Sequence, residues 1–136
     1  MRYLEIALAV LTIIIGILQI IPQYTSKPKE EHENLKILFK STQNISKRIQ
    51  IKIENYISKH DNPNELLFEN VSFESYLNLL RDSYHEFLNN NLYSKIEDNN
   101  YSKSTIKSMT KSLETQINNL LEIENLVKLS EMRKNN

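Results

Sequence analysis

The order of apolar and polar residues divides the chain into an apolar beginning and a long, mixed remainder. Residues 6–21 are almost all apolar, whereas residues 25–36 are mostly polar. The exceptions within the apolar run are Thr12, Gly16 and Gln19. A helix over residues 3–24 would be about 31 Å long, which matches the hydrocarbon core of a bilayer. No small-residue cleavage site follows the run, so the pattern favours a retained transmembrane anchor over a removed signal peptide.

We predict three parts: an anchor over residues 1–24, a linker over residues 25–30 and a helical bundle over residues 31–136. The residues expected to mark the anchor are Tyr3, Ile6, Leu11, Gly16, Ile21 and Tyr24. The two tyrosines lie at its ends, where aromatic side chains concentrate at membrane surfaces. Lysines are more frequent after the run than basic residues are before it, which favours a cytoplasmic carboxyl-terminal domain.

The spacing of apolar residues after the linker predicts an all-α fold, with three main helices in an antiparallel bundle. The first, over about residues 30–59, has apolar residues every three or four positions on one face. The second, over about residues 73–89, follows a capping residue, Ser72. The third starts after Ser102 or Ser104 and ends at about residue 133.

Two connections interrupt this pattern. After the first helix, Asp61 or Asn62 can cap a new helix with Pro63 in its first turn, so the segment NELLFEN is predicted to form a short helix. Three asparagines, residues 89–91, end the second helix. Residues 93–100 then read as a polar connection with room for one helical turn.

The last helix carries apolar residues on more than one side. Ile106, Leu113, Leu120 and Val127 follow one another at seven-residue steps, as in a coiled coil. Leu126 and Leu129 lie off that stripe, Ile123 lies at its border, and Glu124 falls near its centre. A helix that is apolar on more than one side needs a second partner. We therefore predict that Ile123, Leu126 and Leu129 contact either another helix of the bundle or another subunit.

Composition narrows the possible functions. The formal net charge is zero, there is no cysteine, and the single glycine lies in the apolar run. Disulfides, thiolate metal sites, cysteine nucleophiles and glycine-dependent phosphate loops are therefore excluded. A neutral chain also lacks the basic footprint expected for nucleic-acid binding. We expect no cofactor and no nucleic acid, and we expect a lipid bilayer, a second copy of the chain or another protein as partners.

Three lysines and three histidines are candidate binding residues. Lys36, Lys40 and Lys47 fall within about 40° of one another on the first long helix. Below a membrane they could meet anionic headgroups, or they could simply be solvated. The three histidines lack a second ligand at helical spacing, so we interpret them as exposed residues and expect no metal site. They are His32, His60 and His85.

The segment RDSYH, from Arg81 to His85, resembles the R-φ-x3–5-H motif of HEPN domains, with a spacer one residue shorter than the motif's minimum. These are all-α bundles, some of them ribonucleases from bacterial defence and toxin systems. The resemblance implies that Arg81 would hold a phosphate and that His85 would act as a general acid or base. The other interpretation of the segment is a solvated edge of the bundle.

The sequence therefore favours a non-enzymatic, single-pass membrane protein, in which a helical adaptor, accessory or effector domain acts through protein contacts and self-association. The abundance of Asn, Lys, Ile and Ser suggests an AT-rich bacterial or phage genome. One alternative is an oligomeric, pore-forming effector of a bacterial defence or toxin system. A second alternative is a HEPN-like nuclease that uses Arg81 and His85.

Overall fold

The computed structural model describes residues 28–136, and these form a mostly helical domain. In chain order the elements are α1 (Lys29–His60), β1 (Leu66–Phe68), β2 (Val71–Ser72), α2 (Phe73–Phe87), α3 (Asn90–Asp98) and α4 (Lys103–Asn135). The predicted helical class is confirmed, as are the three main helices, which are α1, α2 and α4. Helix α1 begins two residues before the end of the predicted linker.

Two long helices of nearly equal length form the frame of the domain. Helix α1 has 32 residues and α4 has 33, so each is roughly 50 Å long. They run in the same direction, because Glu31 pairs with Lys103 near their beginnings and Arg48 pairs with Glu124 farther along. Helix α2 runs the opposite way, which gives the up–down–up order of a three-helix bundle.

The third side of the bundle, called here the third wall, consists of two separate helices, α2 with 15 residues and α3 with 9, because neither is as long as α1 or α4. The hairpin and α2 pack on the second half of α1 around one apolar cluster. Helix α3 and Tyr101 pack on the first half around another. Stripe residues Leu120 and Val127 belong to the first cluster, and Ile106 and Leu113 belong to the second. The predicted seven-residue stripe is thus the core face of α4.

Buried polar side chains of α1 hold both pieces of this wall. Gln43 donates a hydrogen bond to the carbonyl of Leu88 at the end of α2, and a second one of 3.2 Å to the side chain of Asn90. The Nε2 atom of His32 lies 2.6 Å from the carbonyl of Ile96 in the last turn of α3. Carbonyls at helix ends lack intrahelical partners and need such donors.

Side-chain caps begin the three later helices. Ser72 accepts from the backbone N–H of Ser75, and Ser102 accepts from that of Thr105, so Ser72 is confirmed as a cap and Ser102 is the cap of the last helix. Asn89 accepts from the N–H of Leu92 at 2.9 Å and begins α3. The first of the three asparagines therefore both ends α2 and starts the next helix.

The short helix predicted for NELLFEN is wrong. Residues 66–68 instead pair with residues 71–72 as an antiparallel hairpin, in which Phe68 lies opposite Val71. The backbone N–H of Phe73 bonds to the carbonyl of Glu65 and closes the hairpin. The turn contains no glycine, and Glu69 adopts a left-handed conformation with φ of 44°. The hairpin forms instead of the predicted helix because it places Phe68 and Val71 in the core.

Two smaller predictions at the connections are also corrected. Asp61 does not start a helix, since it ends α1 in a left-handed conformation with φ of 47°. The polar connection predicted for residues 93–100 is largely helical, because α3 runs from Asn90 to Asp98. Burial of Ile96 and the Asn89 cap together stabilise a helix that its polar composition does not suggest.

No helix within residues 28–136 is both long and apolar enough to cross a membrane. The predicted anchor residues, Tyr3, Ile6, Leu11, Gly16, Ile21 and Tyr24, lie outside the described residues.

We predict that Gln43→Leu destabilises the domain although leucine suits a buried helix position. The substitution leaves the carbonyl of Leu88 buried without a donor, which costs about 1–3 kcal/mol. Urea unfolding of the full chain in detergent, followed by circular dichroism, measures this loss. Asn44→Leu, at the neighbouring exposed position, is the matched control and should leave the free energy of unfolding nearly unchanged. Equal effects of the two substitutions would contradict the role of Gln43.

Candidate interaction surface

A row of large apolar side chains lies exposed on the outer face of α4. Leu121 is 41% exposed, Leu129 is 45% exposed and Met132 is 54% exposed. From their positions on the helix, the three fall within about 80° of one another and point away from the core stripe. Leu129 and Met132 are three residues apart, so their side chains are neighbours. We call Leu121, Leu129 and Met132 the apolar row of α4.

Leu66 in strand β1 lies beside the same end of α4. Its side chain is more than half exposed, and it lines a shallow depression together with Ser130 and Arg133 of α4. Leu66 therefore adds another exposed apolar side chain near this end of α4, on the hairpin. The surface is therefore built from two elements and depends on how the hairpin is held.

A buried network holds the hairpin against both long helices. The hydroxyl of Tyr56 on α1 donates a hydrogen bond to the carboxylate of Glu65, and Lys134 Nζ of α4 lies 3.0 Å from the same carboxylate. Partial burial opposes ionisation of Glu65, but the Tyr56 and Lys134 contacts outweigh it and lower its pKa. Burial and the contact with Glu65 raise the pKa of Tyr56. Glu65 is the residue next to Leu66, so this network fixes the hairpin end of the surface.

Glu124 falls near the centre of the core stripe in the sequence pattern. In the structure its side chain joins α4 to α1. Its carboxylate accepts two hydrogen bonds from Arg48, of 2.6 and 2.9 Å, and lies 3.0 Å from Lys52 Nζ. The bond from Arg48 is the largest cause of the lowered pKa of Glu124. The charged residue that interrupts the apolar stripe therefore forms a salt bridge between α4 and α1, at the edge of their contact.

The three predicted interface residues have different surroundings. Ile123 is a buried member of the core cluster around α2 and the hairpin, which agrees with the first of the two predicted alternatives, contact with another helix of the bundle, and removes it from any surface open to another subunit. Leu126 is partly buried and packs against the same cluster. Leu129 alone among the three is exposed. Sequence reasoning missed Leu121 and Met132, although their spacing of eight and three residues from Leu129 places them on its face of the helix.

The predicted basic stripe lies along the edge of the outer face of α1, beside α2 and α3. Lys36 is mostly covered and pairs with Glu33 at 2.8 Å. Lys40 Nζ lies 4.4 Å from the ring centroid of Tyr93, and Lys47 Nζ lies 4.3 Å from that of Tyr84. Such cation–π contacts hold the ammonium groups over tyrosine rings while leaving them accessible to solvent.

Arg81 and His85 both lie on the exposed surface of α2, as expected for residues four apart. The guanidinium of Arg81 is engaged by the carboxylate of Glu54, at 2.6 Å. The backbone carbonyl of His85 accepts a bond from Asn89. The phosphate-binding role that the HEPN resemblance implies would require Arg81 to leave the carboxylate of Glu54.

The histidines differ more than the sequence suggests. His32 is 1% exposed and serves the structural role described above, so its interpretation as an exposed residue is wrong. His60 is half-buried and packs against Tyr56 with the two rings tilted by 54° and their centroids 4.4 Å apart. Only His85 is fully exposed. In residues 28–136, no three His, Asp or Glu side chains are grouped so as to hold a metal ion.

Comparison with known proteins gives no relative: no family model matches the chain, and no curated protein or solved structure matches it significantly.

We predict that the domain loses stability in acid as Glu65 and Glu124 become protonated. Their pKa values are lower in the folded state than the ordinary 4.5. Each therefore stabilises the fold above the unfolded pKa, and this contribution is lost as the pH falls through the folded pKa. Glu124→Gln should remove about 0.2–1 kcal/mol at neutral pH, because Arg48 and Lys52 are half-exposed.

The measurement is the free energy of unfolding between pH 7 and pH 3 for the full chain and for Glu124→Gln. The difference between the two proteins should begin to shrink below pH 4.5, where the unfolded carboxylate is protonated, and should vanish as the pH falls through the lowered pKa of the native carboxylate. Glu122→Gln, which changes an exposed glutamate on the same helix, is the matched control. A difference that stays constant across this pH range would contradict the role of the ion pair.

Proposed function

We propose that this protein is a single-pass, membrane-anchored adaptor or effector that acts through protein–protein contacts and self-association. The apolar row of α4 carries the proposal. Large apolar side chains grouped on one outer face are typical of surfaces that bind another protein. Leu66 widens this surface, and the Glu65 network holds it in place.

The energy available from this surface is sufficient for a weak interaction. Complete burial of a leucine or methionine contributes about 1.5–3 kcal/mol. Leu121, Leu129, Met132 and Leu66 are already about half covered, so each can contribute only part of that value. Membrane anchoring confines the domains to a surface and raises their effective concentration, which allows a weak contact to form.

A second copy of the chain is the proposed partner for the apolar row. The row is about 16 Å long, and two antiparallel copies of α4 would place Met132 of one opposite Leu121 of the other. Such a twofold contact uses the same surface on both copies, which is the commonest arrangement in homodimers. Lys128 and Glu122 flank the row and would lie at the rim of this contact.

We predict that the full chain stays in the membrane fraction after alkaline carbonate extraction. As a helix, the segment over residues 3–24 is about 31 Å long, which is enough to span the bilayer, and no small-residue cleavage site follows its apolar run. A variant that begins at residue 25 is the control and should be released into the supernatant. Recovery of the full-length chain as a soluble protein, or of a shortened mature form, would contradict the anchor.

We predict that Leu129→Glu combined with Met132→Glu lowers self-association of the full chain in detergent by at least tenfold. Both side chains are about half exposed, so helicity should be nearly unchanged while two charges enter the contact. Sedimentation analysis gives the association constant, and circular dichroism checks the fold.

Ile37→Glu combined with Ile51→Glu makes the same chemical change on exposed residues of α1 and serves as the matched control. This pair should leave self-association unchanged. A parent chain that is monomeric at high concentration would contradict the homo-oligomer. An equal loss in both double variants would show that general charge, rather than the apolar row, controls association.

A further inference from the structure

The middle of the exposed face of α1 carries positive charge without any acidic residue. Between residues 34 and 53 the helix contains four lysines and one arginine and no Asp or Glu. They are Lys36, Lys40, Lys47, Arg48 and Lys52. The acids of α1 lie at its ends, at residues 30, 31, 33 and 54. A neutral protein has thus concentrated basic groups along the middle of one helix.

Carboxylates form salt bridges with three of these five basic residues, and the other two are Lys40 and Lys47. Lys36 pairs with Glu33, and Glu124 engages both Arg48 and Lys52. Within residues 28–136, no carboxylate forms a salt bridge with Lys40 or Lys47. Their ammonium groups lie instead over the rings of Tyr93 and Tyr84. Tyrosine is itself a side chain that favours the interface between lipid and water.

Two large apolar side chains flank these lysines on the same outer face. Ile37 is 64% exposed and Ile51 is 55% exposed. They are 14 positions apart, so they lie about 21 Å from each other along α1 and within about 40° around it. A flat surface can touch both only if α1 lies parallel to it. Lys40 and Lys47 lie between them along the helix.

The start of α1 lies close to the end of the predicted anchor. Helix α1 begins at Lys29, and the anchor is predicted to end at residue 24. The four intervening residues can span at most about 14 Å when fully extended. If the anchor is inserted, the first turn of α1 is therefore held at the headgroup region. This step rests on the proposed membrane anchor.

We infer that the outer face of α1, formed by Ile37, Lys40, Lys47 and Ile51, lies flat on an anionic lipid bilayer. The two lysines bind phosphate or carboxylate headgroups, and the two isoleucines enter the boundary between headgroups and acyl chains. This geometry places α1 parallel to the membrane. The outer faces of two helices in a three-helix bundle diverge by roughly 120°, so the apolar row of α4 remains accessible to a partner.

The test uses the absence of tryptophan from the chain. Ile37→Trp and Ile51→Trp are made separately in the full chain, so that each variant has a single reporter at an exposed position. The proteins are reconstituted into vesicles with about 30% phosphatidylserine, in which the other lipids carry brominated acyl chains. Thr115→Trp, at an exposed and uncharged position of α4 outside the apolar row, is the matched control. We expect at least twofold stronger quenching for the two α1 reporters than for the control.

A second arm tests the charges. Lys40→Gln combined with Lys47→Gln, in the Ile51→Trp background, should reduce the quenching at least twofold. Lys107→Gln combined with Lys111→Gln removes two exposed lysines from α4 and should leave it unchanged. Replacement of phosphatidylserine by phosphatidylcholine should have the same effect as the first pair. Equal quenching in the two lipids would overturn the anionic docking face.

The outcomes separate this inference from the function on which it rests. A chain that resists alkaline extraction but gives equal quenching at Ile51→Trp and Thr115→Trp overturns the docking face and leaves the anchor intact. A chain that is released by alkali contradicts the anchor itself.

Discussion

The hydrogen bond from Gln43 to the carbonyl of Leu88 is the contact on which the arrangement of this domain depends. Two helices of about 50 Å need a third wall along their whole length, and neither α2 nor α3 is long enough to supply it. The wall must therefore be broken, and a break inside the bundle exposes carbonyls without partners. Gln43 lies opposite that break and satisfies both the end of α2 and the start of α3.

The long helices could be predicted because the apolar spacing that identifies each of them lies within its own stretch of sequence. The apolar spacing of α1, α2 and α4 identifies each helix, and Ser72 and Ser102 mark two of their starts. The hairpin and α3 were missed because each is short, and burial against the long helices decides its conformation. The role of His32 was missed for the same reason, since its acceptor is the carbonyl of Ile96, 64 residues away.

The outer faces were harder to predict than the core, as the end of α4 illustrates. Leu126 and Leu129 both lie off the stripe in sequence, yet the hairpin and α2 cover Leu126 and not Leu129. By helical angle Leu126 lies about 60° closer to the stripe than Leu129, but how far round α4 the core extends depends on where the third wall packs. Ile123, at the edge of the stripe, falls on the covered side for that reason. Leu129 is therefore the exposed member of the predicted set, and Leu121 and Met132 are exposed on the same face of α4.

The two outer faces differ in chemistry, and the bundle fixes their relative orientation. The face of α1 combines free lysines with two separated isoleucines, a pattern that suits a charged lipid surface more than a protein core. The row of α4 has two adjacent apolar side chains, Leu129 and Met132, with Leu121 two turns away, polar Asn125 between, and charged residues at its rim, a pattern that suits another helix. Arg48, Lys52 and Glu124 join the two helices between these faces. Binding at the membrane would thus orient α4 without any change in conformation, because the same rigid pair of helices carries both surfaces.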